Sequence, residues 1–426
     1  MNVLKEKGIF AFICSNKFAK AKYGEKLRKL ILENQLKIYD DFTGVKVFKE
    51  ASVDTCVIQI KKNYIKDNEI FVDNKFYLNQ SLLNYTTFTF NSPEILKLRD
   101  KILNQGKLMK ELDISINRGV LTGFNKAFII DEETKNKLIN EDSKNKEIIK
   151  PILRGRDIHK WRIINKNLYL IYVPWNFNIN KYPSIKVHLT HYKSDLEKRP
   201  EVKKNRYDWY CMSRYASDYV DLFEKEKIIY SEIVPEPRFV YDDEHYYMEA
   251  TGFLLSSNSI NLKYLVALLN SKLLFWYFKD IGYNLGGKGF RYKKIFIEEL
   301  PIKFTNITIE KNINAIVDKI LNLNKSIVIE TNNFHNFLKK DLKILKISKK
   351  IENYSSLNQK DFLVELKKQK AQNVNEDNLI LKFNHSCEII VNLNKEIDLL
   401  ELKLNDIIYD IYGLNNNEIK IIECDD

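Results

Sequence analysis

The sequence predicts an α/β chain in three parts: the C-terminal portion of a doubly wound sheet, a mixed α/β module, and a helical, coiled-coil-like region. Three observations predict it. A continuous apolar run, Ile9–Cys14, lies near the start, as in strands buried on both faces of a parallel sheet. Short aromatic and β-branched runs alternate with charged loops between residues 106 and 303. Beyond residue 304, apolar residues recur at intervals of three and four.

In chain order, Lys5–Gly8 reads as a helix end with a glycine cap, and Ile9–Cys14 as a central strand. A helix over Tyr23–Asn34 follows, with Leu27, Leu30 and Ile31 on one face. The strands Lys37–Phe42 and Thr55–Ile60, joined by Gly44–Asp54, complete a partial doubly wound domain over residues 1–62. Residues 63–105 are mixed, end in the helical stretch Pro93–Leu103 and read as a connector. The 106–303 module has strand-like runs at Ala127–Ile130, Leu168–Val173, Lys227–Ile233, Arg238–Tyr241 and Tyr246–Leu255, one helix over Leu262–Phe278, and no fixed repeat. In 304–426, Ile313, Ile316, Ile320, Leu323 and Ile327 form one seam, and Ile390, Leu393, Ile397, Leu400, Leu404, Ile407 and Ile411 another. That period fits an intramolecular helical hairpin or a coiled coil with a partner.

The 426 residues carry a net charge of +12, with 44% hydrophobic and 12% aromatic residues, which excludes a disordered chain. Residues 1–303 hold 52 basic and 38 acidic side chains, whereas 304–426 hold 17 and 19. A polyanion-binding face is therefore expected ahead of residue 304, and a different role for the tail. Five dispersed cysteines without a CxxC pair point to a reducing cytoplasm. The run Gly8–Cys14 is too short for a signal peptide, and Leu265–Phe278 is broken by Asn270, Ser271 and Lys272, so no membrane span is expected.

Much chemistry is missing. No glycine-rich turn follows a strand, and Gly286-Gly287-Lys288-Gly289 lacks the phosphate-loop spacing. His188 and His191 are three apart without further ligands, so a solvated or core role is expected rather than a metal site. No catalytic set stands out. Three basic, aromatic-interleaved stretches do, at residues 144–166, 193–214 and 286–294, and their Lys and Arg side chains suit phosphates and base edges.

The segments Gly119–Phe128, Lys150–Ile158, Lys227–Ile229, Pro237–Phe239, Leu268–Lys272 and Leu300–Ile302 together resemble the specificity domain of TaqI-like adenine-N6 DNA methyltransferases. Upstream, Ser15–Phe18 and Tyr23–Arg28 resemble the segment after that family's catalytic motif. The resemblance covers roughly residues 8–303. It implies the C-terminal part of a Rossmann-like methyltransferase sheet followed by a DNA target-recognition domain. It also implies duplex DNA as partner and an enzyme that flips an adenine and methylates it with S-adenosylmethionine. The glycine-rich cofactor segment and the Asn-Pro-Pro-Tyr-type motif are absent, so no cofactor is expected for this chain alone. A methyltransferase front half, or a restriction subunit docked through the helical tail, is the expected protein partner. The resemblance places Phe48, in the expected hairpin Val45–Glu50, where an aromatic stacks on the flipped base; packing on its own sheet is the alternative. The candidate DNA contacts are Thr122, Asn125, Lys126, Arg154, Arg156, Trp161, Lys203, Lys204, Arg206, Trp209, Arg238, Lys288, Arg291 and Lys293.

Overall fold

The computed structural model describes residues 3–48, 50, 53–285, 289–369, 371 and 375–424. Its first sheet holds five strands, β1 (Ile9–Ser15), β2 (Gln35–Asp41), β3 (Thr55–Lys61), β4 (Glu69–Val72) and β5 (Phe76–Asn79), in the order β1-β3-β2-β4-β5. The apolar run does not enter a parallel sheet. β1 pairs antiparallel with β3 and stands at the sheet edge, leaving Ile9 57% and Phe12 54% exposed. The expected helix cap at Lys5–Gly8 is a turn in which Lys7 takes a positive φ and the Gly8 N–H bonds the Lys5 carbonyl at 2.9 Å.

Residues 63–105 are no mere connector. β4 pairs parallel with β2, β5 pairs antiparallel with β4, and Ile70, Val72 and Leu78 join Leu36 and Ile58 in one core. A buried arginine closes this unit. The Arg28 guanidinium donates to the carbonyls of Phe18, Ala21, Tyr85 and Thr86, tying the helix Glu25–Leu32 to the chain leaving β5. On that helix Ile31 is buried, whereas Leu27 and Leu30 are exposed.

The middle region is built on two four-stranded sheets. One runs Phe239–Asp242, Lys227–Ser231, Gly252–Ser256, Ser115–Arg118, all antiparallel. The other runs Tyr247–Met248, Ile149–Leu153, Tyr169–Ile171, Ile129–Ile130, its first pair parallel. One buried ion pair orders the crossing between them: Lys227 Nζ lies 2.7 Å from Asp242 Oδ2, both side chains fully buried. The same carboxylate accepts the backbone N–H groups of Glu244 and Tyr246 at 2.9 and 3.0 Å, shaping the turn that delivers Tyr247 to the second sheet. Burial pushes the Asp242 carboxyl up and the Lys227 ammonium down, and each charge opposes the other's shift.

The single helix expected over Leu262–Phe278 is two, Leu262–Leu269 and Lys272–Ile281. Asn270 breaks it by pairing its side chain with both backbone groups of Phe239, at 2.8 and 3.1 Å, and the Ser271 hydroxyl caps the second helix.

Two long helices, Ile307–Asp341 and Glu376–Ile411, dominate the C-terminal region. They run antiparallel, since Lys319 pairs with Glu396 while Lys382 lies over Phe337. Both apolar seams face inward: Ile313, Ile320, Ile327, Ile390, Ile397 and Leu404 are buried in one core that also takes in the 262–281 helices. The seam is thus filled by the chain's own hairpin and is not an open coiled-coil face.

Removing one member of the Lys227–Asp242 pair strands a buried charge. Asp242→Asn is expected to cost about 3–5 kcal/mol in urea unfolding, and Lys227→Met combined with Asp242→Leu markedly less. Equal losses in the single and double variants would contradict the role given to the pair.

Candidate nucleic-acid interface

The segment Met248–Thr251 is the hub on which the candidate residues converge. The Leu153 carbonyl accepts the Glu249 N–H at 2.8 Å, the Met248 carbonyl accepts the Val120 N–H at 2.7 Å, and the Thr251 hydroxyl accepts the Gly155 N–H at 3.0 Å. Arg118 Nε donates to the Ala250 carbonyl at 2.6 Å. Gly119 is needed here because a Cβ would stand 2.2 Å from the Glu249 carbonyl oxygen.

The turn after Gly119 is fixed from two sides. Thr122 is buried, its hydroxyl bonded to Asn125 and to the Phe124 N–H, and Asn125 Nδ2 donates to Glu249 Oε1 at 2.6 Å. Gly123 has φ +78°, and a Cβ there would meet the Ser213 hydroxyl at 2.1 Å. From the other side, Arg199 donates to the carbonyls of Leu196 (2.9 Å), Thr122 (3.1 Å), Cys211 (2.9 Å) and Trp209. At 7% exposure it is internal scaffolding in a stretch that reads as a charged surface.

The structure sorts the remaining candidates. Lys126, Arg156, Lys203, Lys204, Arg206 and Lys293 are exposed, and none makes an ion pair among the described residues. Arg154 is spent internally, forking onto Asp157 with Nε–Oδ2 and Nη2–Oδ1 both 2.9 Å. Trp161 is only 3% exposed; it takes φ 61° and donates its indole N–H to Glu401 of the long C-terminal helix, beside the Lys160–Glu401 pair at 2.6 Å. It staples the 154–166 arm to the helical region, so it does not offer an aromatic surface. Trp209 is half-buried beneath Lys193, Arg238 pairs with Glu236, and Arg291 pairs with Glu232, which also holds Arg118. Lys288 lies outside the described residues.

Phe48 is 46% exposed, and the Val45–Glu50 hairpin does not form among its described residues. Neither Trp175, stacked on Tyr207 at 5.1 Å, nor Glu249 and Thr251 stood out in sequence. The Gly119–Gly123 spacing was the available signal for the hub, because each glycine marks a close approach.

The His188 ring bonds the Ala127 carbonyl. No set of three His, Cys, Asp or Glu side chains among the described residues could hold a metal, and no helix among them is long and apolar enough to cross a membrane.

Residues 150–302 match the TaqI-like C-terminal specificity domain, residues 1–48 the Eco57I restriction-modification methylase, and residues 306–408 a domain of unknown function (DUF8810). By these matches the chain is restriction-modification methyltransferase-like, with a specificity domain. It is similar to the type II methyltransferase M.BstVI of Geobacillus stearothermophilus, 22% identical over 382 residues that cover 76% of this chain and 66% of that one. It is likewise similar to the type II methyltransferase M.BanIII of Aneurinibacillus aneurinilyticus, 22% identical over 338 residues covering 66% and 58%. Its fold resembles that of the type IIL restriction-modification enzyme MmeI, solved in complex with DNA, with TM-score 0.52, 12% identity and coverage of 97% of this chain and 48% of the other. The chain thus spans 66%, 58% and 48% of these proteins' own lengths.

Two outcomes test the site. Arg199→Met should destabilise by about 2–4 kcal/mol in urea unfolding, since buried carbonyls lose their donors, and Arg199→Lys should rescue little because an ammonium cannot fork. His159, lining the arm, has its pKa held down from 6.5 to about 4 by burial and by Arg162 and Arg238. A depressed histidine adds stability above pH 6.5 that is lost as pH falls through 4. The drop in thermal midpoint between pH 7 and 4.5 should therefore shrink in His159→Gln, and an unchanged drop would refute that placement.

Proposed function

We propose that this chain recognises a short duplex DNA sequence through residues 106–303, as the specificity portion of an adenine-N6 DNA methyltransferase or restriction-modification system. The carrying observation is the set of exposed cations without ion-pair partners among the described residues, Lys126, Arg156, Lys203, Lys204, Arg206 and Lys293, all but Lys126 within residues 150–302, which match a specificity domain. Cations already neutralised by carboxylates release few counterions on binding, so these six are the ones that would hold phosphates. Arg156, exposed on the arm, and Asn125, whose amide keeps one N–H and one lone pair beyond its bonds to Glu249 and Thr122, are the side chains offered to base edges. Phe48, exposed at the rim of the first sheet, remains the residue offered to stack on an extruded adenine.

Methylation with S-adenosylmethionine needs more than these residues. The described residues of 3–92 do not fit that cofactor: Gly24 is packed on the Phe18 carbonyl, Gly44 lies in an open loop, and no glycine-rich turn closes a strand among them. The exposed apolar β1 edge supports a reading in which further sheet, carrying the glycine-rich and catalytic elements, completes this unit. Docking of a separate subunit through the helical tail would use its outer face, since the seam is filled.

The test is equilibrium binding of duplex DNA across a salt series. Binding should weaken with salt, and replacing Lys203, Lys204 and Arg206 by Ala should reduce the slope of log K against log salt by up to about 3. No binding at low salt, or an unchanged slope, would contradict the proposal.

A further inference from the structure

The net charge of the helical region hides a local concentration. Residues 339–350 contain Lys339, Lys340, Lys343, Lys346, Lys349 and Lys350 against Asp341 alone. The fold brings part of this loop opposite the 154–168 arm across a cleft of about 1300 Å³, larger than the roughly 300–1,000 Å³ of small-molecule pockets. Eight cations and two carboxylates line it. Both carboxylates are committed, Asp157 to Arg154 and Glu352 to Lys166, the latter pair at 3.0 Å bridging the cleft.

Five lining cations, Arg156 and Arg162 on the arm and Lys343, Lys346 and Lys349 opposite, have no ion-pair partner among the described residues. Arg162 is the most telling. Its Nε is buried without a hydrogen-bond partner, and burial holds its pKa below the ordinary value. A desolvated cation lacking an anion is costly, so the cleft is set to receive negative charge. The cations are spread along both walls, which suits a ligand whose charges repeat, and the arm leads directly from Arg156 and the hub.

We propose that the helical region forms the second wall of the DNA cleft, with Lys343, Lys346, Lys349 and Arg162 taking phosphates of the duplex backbone. The tail is then a phosphate clamp as well as a support for the arm. The inference rests on the DNA-recognition reading and extends it to residues outside 106–303.

The test uses the full chain and a random duplex, comparing Lys343→Ala/Lys346→Ala/Lys349→Ala with a charge-matched control, Lys311→Ala/Lys395→Ala/Lys403→Ala, whose exposed lysines lie on the two long helices and do not line the cleft. The cleft variant should lower the slope of log K against log salt by about 2–3, with at least a tenfold loss of affinity at low salt, and the control by less than about 0.5. If the cleft variant loses cooperative unfolding, Lys346→Glu alone serves, with a loss on the order of tenfold expected. Equal slopes in cleft and control variants, while the Lys203/Lys204/Arg206 variant still flattens, would overturn this inference and leave the recognition reading standing. Absence of any duplex binding by the unmodified chain would overturn both.

Discussion

One buried carboxylate, Asp242, neutralises Lys227 and holds two backbone N–H groups at once, and the geometry of the middle region follows from it. A charge taken out of water survives only where every lone pair is used. Here the partners come from the start of one strand and from the turn after another, so their mutual satisfaction fixes where the chain leaves the first sheet after Asp242 and enters the second at Tyr247–Met248. Met248–Thr251 then sets Gly119, Asn125, Leu153 and Gly155, and through them both the 122–126 turn and the 154–166 arm. The candidate surface is thus assembled on a fixed frame.

That frame consumes much of the positive charge. Arg28 and Arg199 serve as internal tethers for carbonyls, Arg154 is locked to Asp157, and Arg291 shares Glu232 with Arg118. Arginine suits such work because its planar fork satisfies several carbonyls without losing its charge. What remains available is lysine-rich and exposed, which favours phosphate contacts over base reading. In the proposed reading, sequence discrimination falls on few side chains, Asn125 and Arg156 among them.

Periodicity was the reliable guide in the sequence. The i, i+3, i+7 apolar seams marked both long helices and their buried faces, and most strand-like runs became strands, because burial of one face imposes those spacings. Long-range partners were not legible. Ile9–Cys14 reads as a central strand but lies at an edge, since a strand's sequence reports its own composition and not its neighbours. Asn270 broke a helix by pairing with Phe239, thirty-one residues away. Trp161 and Arg199 sit in basic stretches yet are internal, and averaging charge over the tail concealed Lys343–Lys349.

In the proposed reading, DNA binds one surface centred on the 248–251 hub and continuing into the cleft beside the helical region. Hydrogen exchange of the full chain with and without a duplex at low salt tests it most directly. Added protection is expected in residues 119–126, 154–166, 203–214 and 343–349. Saturating binding with protection confined to other segments would contradict it.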